Sequence, residues 1–163
     1  MKYKVERDFE HAGLRCVVVM TEMGHRCGYV GVPENHQLYG VDYSQKTVAL
    51  SLAKIADQPI GKRGIVPLLC MDSTSEYISP DVYFNVHGGV TYAGGGKNSK
   101  YPVESDLWWF GYDCDHPGDG KDLSVVSDAL REIEIRFPTY GIIRSTEYCI
   151  DECKSLAEQL VDI

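Results

Sequence analysis

Two segments gather the side chains that can do chemistry. The run Trp108-Trp109-Phe110-Gly111-Tyr112-Asp113-Cys114-Asp115-His116-Pro117-Gly118-Asp119-Gly120 sets aromatic rings directly before carboxylates, a thiol and an imidazole. Upstream of it stands Val86-His87-Gly88-Gly89-Val90-Thr91-Tyr92. Adjacent tryptophans on a strand point to opposite faces, so only one of Trp108 and Trp109 enters a given side of a core. The other must cover a second layer, a ligand or a subunit interface. The last use would suit a homodimer or a host partner, since an exposed tryptophan is a strong anchor.

Each residue type suggests its own chemistry. Tyr92, Trp109 and Tyr112, with Tyr29, are faces on which a nucleobase can stack, at roughly 1–3 kcal/mol per base. Gly88 and Gly89 lack Cβ atoms and let a phosphate approach the backbone, or simply supply a turn. His87 beside them can give a hydrogen bond or a proton. Arg144, at the start of the last helix, adds a cation where a helix N-terminus already favours anions. Asp113, Asp115, His116 and Asp119 combine donors that suit a divalent ion, and such an ion would activate water for hydrolysis. The same acids also serve as turn caps around Pro117-Gly118. Cys114 with His87 or His116 is a conceivable nucleophile pair, although Pro117 shortens any shared strand face. Arg26 and Arg63 are weaker anion candidates. Gly94-Gly95-Gly96-Lys97 lacks the pattern of a nucleotide phosphate loop. The predicted ligand-binding set is therefore His87, Gly88, Gly89, Tyr92, Trp109, Tyr112, Asp113, His116, Asp119 and Arg144, with no catalytic residue, metal or cofactor assigned.

A chain of 163 residues fits one domain spanning 1–163. Its 44% hydrophobic and 25% charged content is globular. A net charge of −8 opposes bulk nucleic-acid binding. The charged start, Met1 to Asp8, has no apolar signal core, and Cys16-Val17-Val18-Val19-Met20 is too short to cross a bilayer, so a cytoplasmic protein is expected. Cysteines 16, 27, 70, 114, 149 and 153 are then reduced and packed as small apolar residues.

Strands are expected over 13–20 and 26–32 around a polar turn at Thr21 to His25. Residues 46–57 read as strand or short helix. Pro59 to Gly64 is turn-rich, and Ser79-Pro80 breaks the pattern again. A hairpin is expected from 82–87 and 89–93 about Gly88-Gly89, followed by a glycine-rich loop at 94–100 and a strand over 106–113. The spacing of Val125, Val126, Ala129, Leu130 and Ile133 predicts a helix over 122–136, ended by Pro138. Ser145 or Thr146 caps a last helix whose stripe is Cys149, Cys153, Leu156, Ala157 and Leu160. The whole is an α+β domain, a mainly antiparallel sheet covered by a C-terminal amphipathic helix. Pairing of 89–93 with 107–112 would set His87 beside Asp113 to His116, in one pocket.

Four blocks in order, Gly28-Tyr29-Val30-Gly31-Val32-Pro33 with His36 and Leu38-Tyr39-Gly40, then Val86 to Tyr92, Trp108 to Asp119, and Glu147-Tyr148-Cys149 to Leu160, resemble a family of small proteins of bacteriophages and of bacterial genomes, where they often travel as prophage cargo. The stretch between Gly120 and Ser145 is longer than that pattern. The resemblance implies a setting in which small acidic proteins counter host defence, one class by sequestering a nucleotide immune signal of the cyclic-nucleotide or cyclic ADP-ribose type. Three functions follow as expectations: a non-catalytic binder of such a signal, a metal-assisted hydrolase of it, and a direct inhibitor of a host protein.

Overall fold

The computed structural model describes residues 1–56 and 77–163. The turn expected at 59–64, Arg63 and Cys70 lie outside the described residues. Strands β1 (Tyr3–His11), β2 (Leu14–Thr21) and β3 (Arg26–Val32) form an antiparallel meander. Strand β5 (Trp108–Asp113) joins β3 antiparallel, and β4 (Tyr92–Gly95) closes the five-stranded sheet in the order β1-β2-β3-β5-β4. Among the described residues the helices are α1 (Val48–Ala56), α2 (Pro80–Tyr83), α3 (Asp128–Arg136) and α4 (Thr146–Val161). A two-stranded parallel ladder pairs β6 (Gly118–Asp119) with β7 (Gly141–Ile142). The class is α+β, as the residue patterns imply.

The strand β1 was not expected from the sequence. It is rich in charge and mostly solvent-facing, so it lacks the apolar alternation that announces a strand. As an edge strand it gains from that charge, which discourages pairing with other chains. Ala12 and Gly13, both at positive φ (52° and 79°), turn it into β2 as a two-residue hairpin. The ladder slips between Val5 and Arg7. Glu6 sits in that slip and accepts from Arg26 Nε at 2.6 Å and from the Thr146 hydroxyl at 3.1 Å.

The unbroken apolar run of β2 follows from burial on both faces. On one face Cys16, Val18, Val30, Phe110 and Tyr112 pack against the α4 stripe of Cys149, Cys153, Leu156, Ala157 and Leu160. On the other, Val17, Val19, Tyr29 and Trp109 are roofed by Tyr101, Val103 and Leu107 of the segment between β4 and β5. Ser145 caps α4, accepting from Tyr148 N–H at 3.0 Å.

Glycines inside these strands make room for aromatic rings opposite them. Gly28 pairs with Tyr112, Gly111 with Tyr29, and Gly31 with Trp109. A Cβ on Gly111 would lie 2.5 Å from Tyr29 Cδ1, and one on Gly28 would collide with the Tyr112 ring. The Gly-Tyr-x-Gly and Trp-x-Gly-Tyr blocks are thus two halves of one packing pattern.

Of the two readings open for 46–57, strand or short helix, the described part gives helix α1 over Val48–Ala56. Two expectations need correction. Helix α3 begins at Asp128 rather than 122, because Asp122 binds the Ser124 N–H and hydroxyl in a local turn and Ser127 then caps the helix. The hairpin over 82–87 and 89–93 does not form. Pro80 starts a short helix instead. Residues 85–87 give their backbone to α4: Asn85 N–H donates to Gln159 at 2.8 Å and His87 N–H to Glu152 at 2.7 Å.

Candidate functional site

The chain after Gly89 meets β5, where Thr91 N–H donates to Gly111 O at 2.9 Å and Tyr92 pairs with Gly111. This pairing brings His87 against the segment that follows β5, so the predicted juxtaposition holds. His87 Nε2 lies 2.8 Å from Asp119 Oδ2, and its ring centroid is 5.9 Å from that of His116. The residues nevertheless divide into two structures: a buried polar link and an open cleft.

The link runs Arg144–Asp119–His87–Tyr148. Asp119 is 3% exposed. It accepts from Arg144 Nε at 2.8 Å and from His116 N–H at 3.1 Å. Burial pushes its carboxyl up, but the hydrogen bonds from Arg144 and His87 more than reverse this and hold it below the ordinary carboxylate value. An ionised Asp119 only accepts, so His87 Nε2 carries the proton and donates. His87 Nδ1 is 2.9 Å from the Tyr148 hydroxyl. The Arg144 guanidinium also lies over the Tyr148 ring, 5.0 Å from its centroid. Both nitrogens of His87 are therefore taken, and the link ties the 87–89 turn, the 116–119 turn and the start of α4 into one unit.

The cleft, of ≈540 Å³, opens at the end of the sheet beside this link. Its apolar wall is Tyr29, Tyr92 and Tyr101, stacked edge to face with centroids 5.4 to 5.5 Å apart, the Tyr29 and Tyr101 hydroxyls in hydrogen bond. Its polar wall is His25, Asp113, Asp115 and His116, with Thr91 donating to Asp113 at 2.9 Å. Two imidazoles of this wall each hold one buried nitrogen without a hydrogen-bond partner, His25 Nδ1 and His116 Nε2, the latter packed over Gly88. His25 Nδ1 stands 3.9 Å from Asp115, and His116 Nε2 stands 3.4 Å from Asp113 without bonding geometry. Burial lowers the basicity of His25, against the pull of Asp115 and Asp113, so the ring is neutral at pH 7.

Of the residues expected to bind, Tyr92, Asp113 and His116 line the cleft, and Tyr112 reaches it only as a covered edge. Trp109 is fully buried and Tyr112 is 1% exposed, its hydroxyl donating to Cys149 O at 2.7 Å. Neither offers a face for stacking, because the alternation of β5 sends each into a core layer. Trp108 is half-buried with its indole N–H on Val41 O, whereas Trp109 exposes no surface that a partner could touch. Gly88, at φ 66°, lies directly beneath the His116 ring, where a Cβ would collide. Gly89 N–H is spent on Val86 O at 2.9 Å. The two glycines serve the turn, and Arg144 is held by Asp119, so the expected phosphate cradle is not built. Asp119 turns inward, which splits the proposed metal set. Among the described residues no three His, Cys, Asp or Glu side chains converge to hold a metal ion. Cys114 is buried, 3.7 Å from Cys149 Sγ, and its hydrogen bond to that sulfur, with burial, pushes its thiol far up. It is not a poised nucleophile.

Sequence reasoning missed His25, Tyr101 and Thr91. His25 lies in a turn far from either motif, and only the β3–β5 pairing of Cys27 with Asp113 carries it there. Compared with protein-family models, curated proteins and solved structures, the chain matches none.

Proposed function

We propose that this protein binds and sequesters a small nucleotide-derived ligand, with the base end held in the tyrosine–histidine cleft. The observation that carries the reading is the pair of cleft-lining imidazoles, His25 and His116, each with a buried nitrogen that has no partner. A buried polar atom without a partner costs about 1–3 kcal/mol, and a ligand that supplies the missing partners recovers it. The volume lies within the ~300–1,000 Å³ of small-molecule sites. Tyr92 and Tyr101 give the base an aromatic wall, and the neutral His25 reads a polar edge. Asp113 and Asp115 accept from an amino group or from ribose hydroxyls, and their charge turns phosphates toward solvent. In a phage setting, such a binder would blunt a host immune signal of the cyclic-nucleotide or cyclic ADP-ribose type.

The test mixes the protein with a panel of cyclic dinucleotides and cyclic ADP-ribose isomers, removes free nucleotide, denatures the protein by heat and analyses what is released. Intact nucleotide supports sequestration, and H116A should weaken its binding by about tenfold, or ~1.4 kcal/mol. A changed chromatographic peak would replace this reading with a hydrolase. Failure of the whole panel to bind below micromolar concentration would remove it.

A further inference from the structure

Two of the buried cysteines touch each other. The sulfurs of Cys114 and Cys149 lie 3.7 Å apart, and the two residues are 35 positions apart in the chain. Among the described residues no other two thiols share a hydrogen bond. Cys16 Sγ donates to Leu14 O at 3.7 Å, and Cys153 Sγ lies 3.7 Å from the Tyr112 hydroxyl. The Cys114–Cys149 contact joins two elements at their ends. Cys114 is the first residue beyond β5, with its N–H on Arg26 O at 2.9 Å. Cys149 is in the opening turn of α4, with its N–H on Ser145 O at 3.1 Å. A disulfide needs about 2.05 Å between sulfurs, so from 3.7 Å they must approach by about 1.7 Å. Turning the two Cα–Cβ bonds provides a displacement of that size. The thiols are also unequal. The Cys114 thiol, bonded to Cys149, holds the Cys149 thiol below its ordinary value against the opposing effect of burial, and the Arg26 charge adds to this. Cys149 is thus the sulfur that attacks, and Cys114 the one that resolves.

We propose that Cys114 and Cys149 form a redox modification site, oxidised to a disulfide by a small hydroperoxide. The Cys149 thiolate attacks one peroxide oxygen. An S–O bond forms, the O–O bond breaks, and the leaving oxygen takes up the proton that the thiol lost, departing as water from hydrogen peroxide. The sulfenic acid left on Cys149 is then attacked by Cys114 sulfur. An S–S bond forms, the S–O bond breaks, and the hydroxide leaves as water with the Cys114 proton. The two thiols lose two electrons and the hydroperoxide gains them. Burial selects the oxidant. Cys114 is 2% exposed and Cys149 not at all, so a bulky disulfide is kept out, whereas hydrogen peroxide is scarcely larger than the water that enters when a fold opens locally. The product would fasten a junction that hydrogen bonds already close. Cys114 leads into the turn that ends at Asp119, and Cys149 follows Tyr148, so the covalent bond ties the same two segments as the Arg144–Asp119–His87–Tyr148 link.

The test treats the reduced full chain with hydrogen peroxide, blocks remaining thiols under denaturing conditions, and maps the peptides without reduction. The expected product is a Cys114–Cys149 cross-linked peptide, lighter by two hydrogens than its two parts and lost on treatment with dithiothreitol. C114A should stop the reaction at a sulfenic acid on Cys149, trapped by dimedone. C149A should give neither the cross-link nor a trapped Cys114. The wild-type map decides the proposal by itself if either variant melts too low to be compared. Met1, 80% exposed, is the internal control for oxidant dose. Conversion of Met1 to its sulfoxide with no Cys114–Cys149 peptide would overturn the proposal. So would a cross-link that runs instead through Cys70 or Cys153, or dimedone trapped on Cys114 in place of Cys149. None of these readouts involves a nucleotide, so the result stands or falls apart from the reading of the cleft.

Discussion

His116 is the residue on which both parts of the site depend. Its backbone N–H donates to Asp119, its ring lies over Gly88 with Nε2 nearest, and the residue lines the cleft. Gly88 meets two demands at once, a positive φ and the absence of a Cβ beneath that ring. We expect G88A to destabilise the fold by about 1–3 kcal/mol, read from denaturant unfolding, and to weaken nucleotide binding because the imidazole must shift. A variant of unchanged stability would show that the turn relaxes freely. The effect of H116A should differ in kind: binding falls while stability holds or rises, since it removes a buried atom that lacks a partner.

At the scale of elements, β3 and β5 are matched by glycine against aromatic ring rather than by side-chain alternation alone. G111A should cost about 1–3 kcal/mol by crowding Tyr29. Trimming the ring with Y29L should recover part of that loss in a double-mutant cycle, and an additive cycle would mean the two do not touch. The helix α4 contributes differently, through a stripe that is wholly buried. L156A should cost about 2–5 kcal/mol and S145A about 1 kcal/mol, both measured by denaturant titration. Arg26 links these elements: it pairs with Glu6 of β1 and donates to Arg144 O at 2.7 Å. Its value is positional, since it holds the N-terminus of α4 over the sheet.

For the whole molecule, acid stability should fall in two separate windows. His25 is less basic in the fold than its ordinary 6.5, so below pH 6.5 the unfolded chain takes up a proton that the native ring refuses. Stability therefore declines as pH drops from 6.5 toward the lower folded value, and is insensitive to this group below it. Asp119 behaves as the depressed acid. Its contribution is whole above the ordinary carboxylate value of 3.8 and is lost as pH falls through its lower folded value. H25Q should flatten the first window and leave the second, as read from melting temperature against pH. An unaltered slope near pH 6 in H25Q would place that dependence elsewhere.

The elements whose residues carry their own periodicity were legible before any coordinates: β2, β3, β5 and α4, with the cap at Ser145. So was the meeting of His87 with the turn after β5, because antiparallel pairing of two short strands leaves few alternatives. Local chemistry is enough where a strand or helix must bury one patterned face. It is not enough where a segment's backbone is satisfied at a distance. The 82–87 stretch has the composition of a strand, yet Glu152 and Gln159 of α4 bind its N–H groups, and those residues lie far along the chain. Charge hid β1 for the converse reason, since its partner β2 supplies the apolar face that β1 lacks. The aromatic rings of the two motifs pointed to a ligand, but exposure is a property of layers, and both faces of the sheet proved to be covered. Covering the second face with the segment between β4 and β5 consumed Trp109 and delivered Tyr101 to the cleft. Which side chains of this protein pack and which remain open to a ligand was decided by that roof, through contacts between residues distant in sequence.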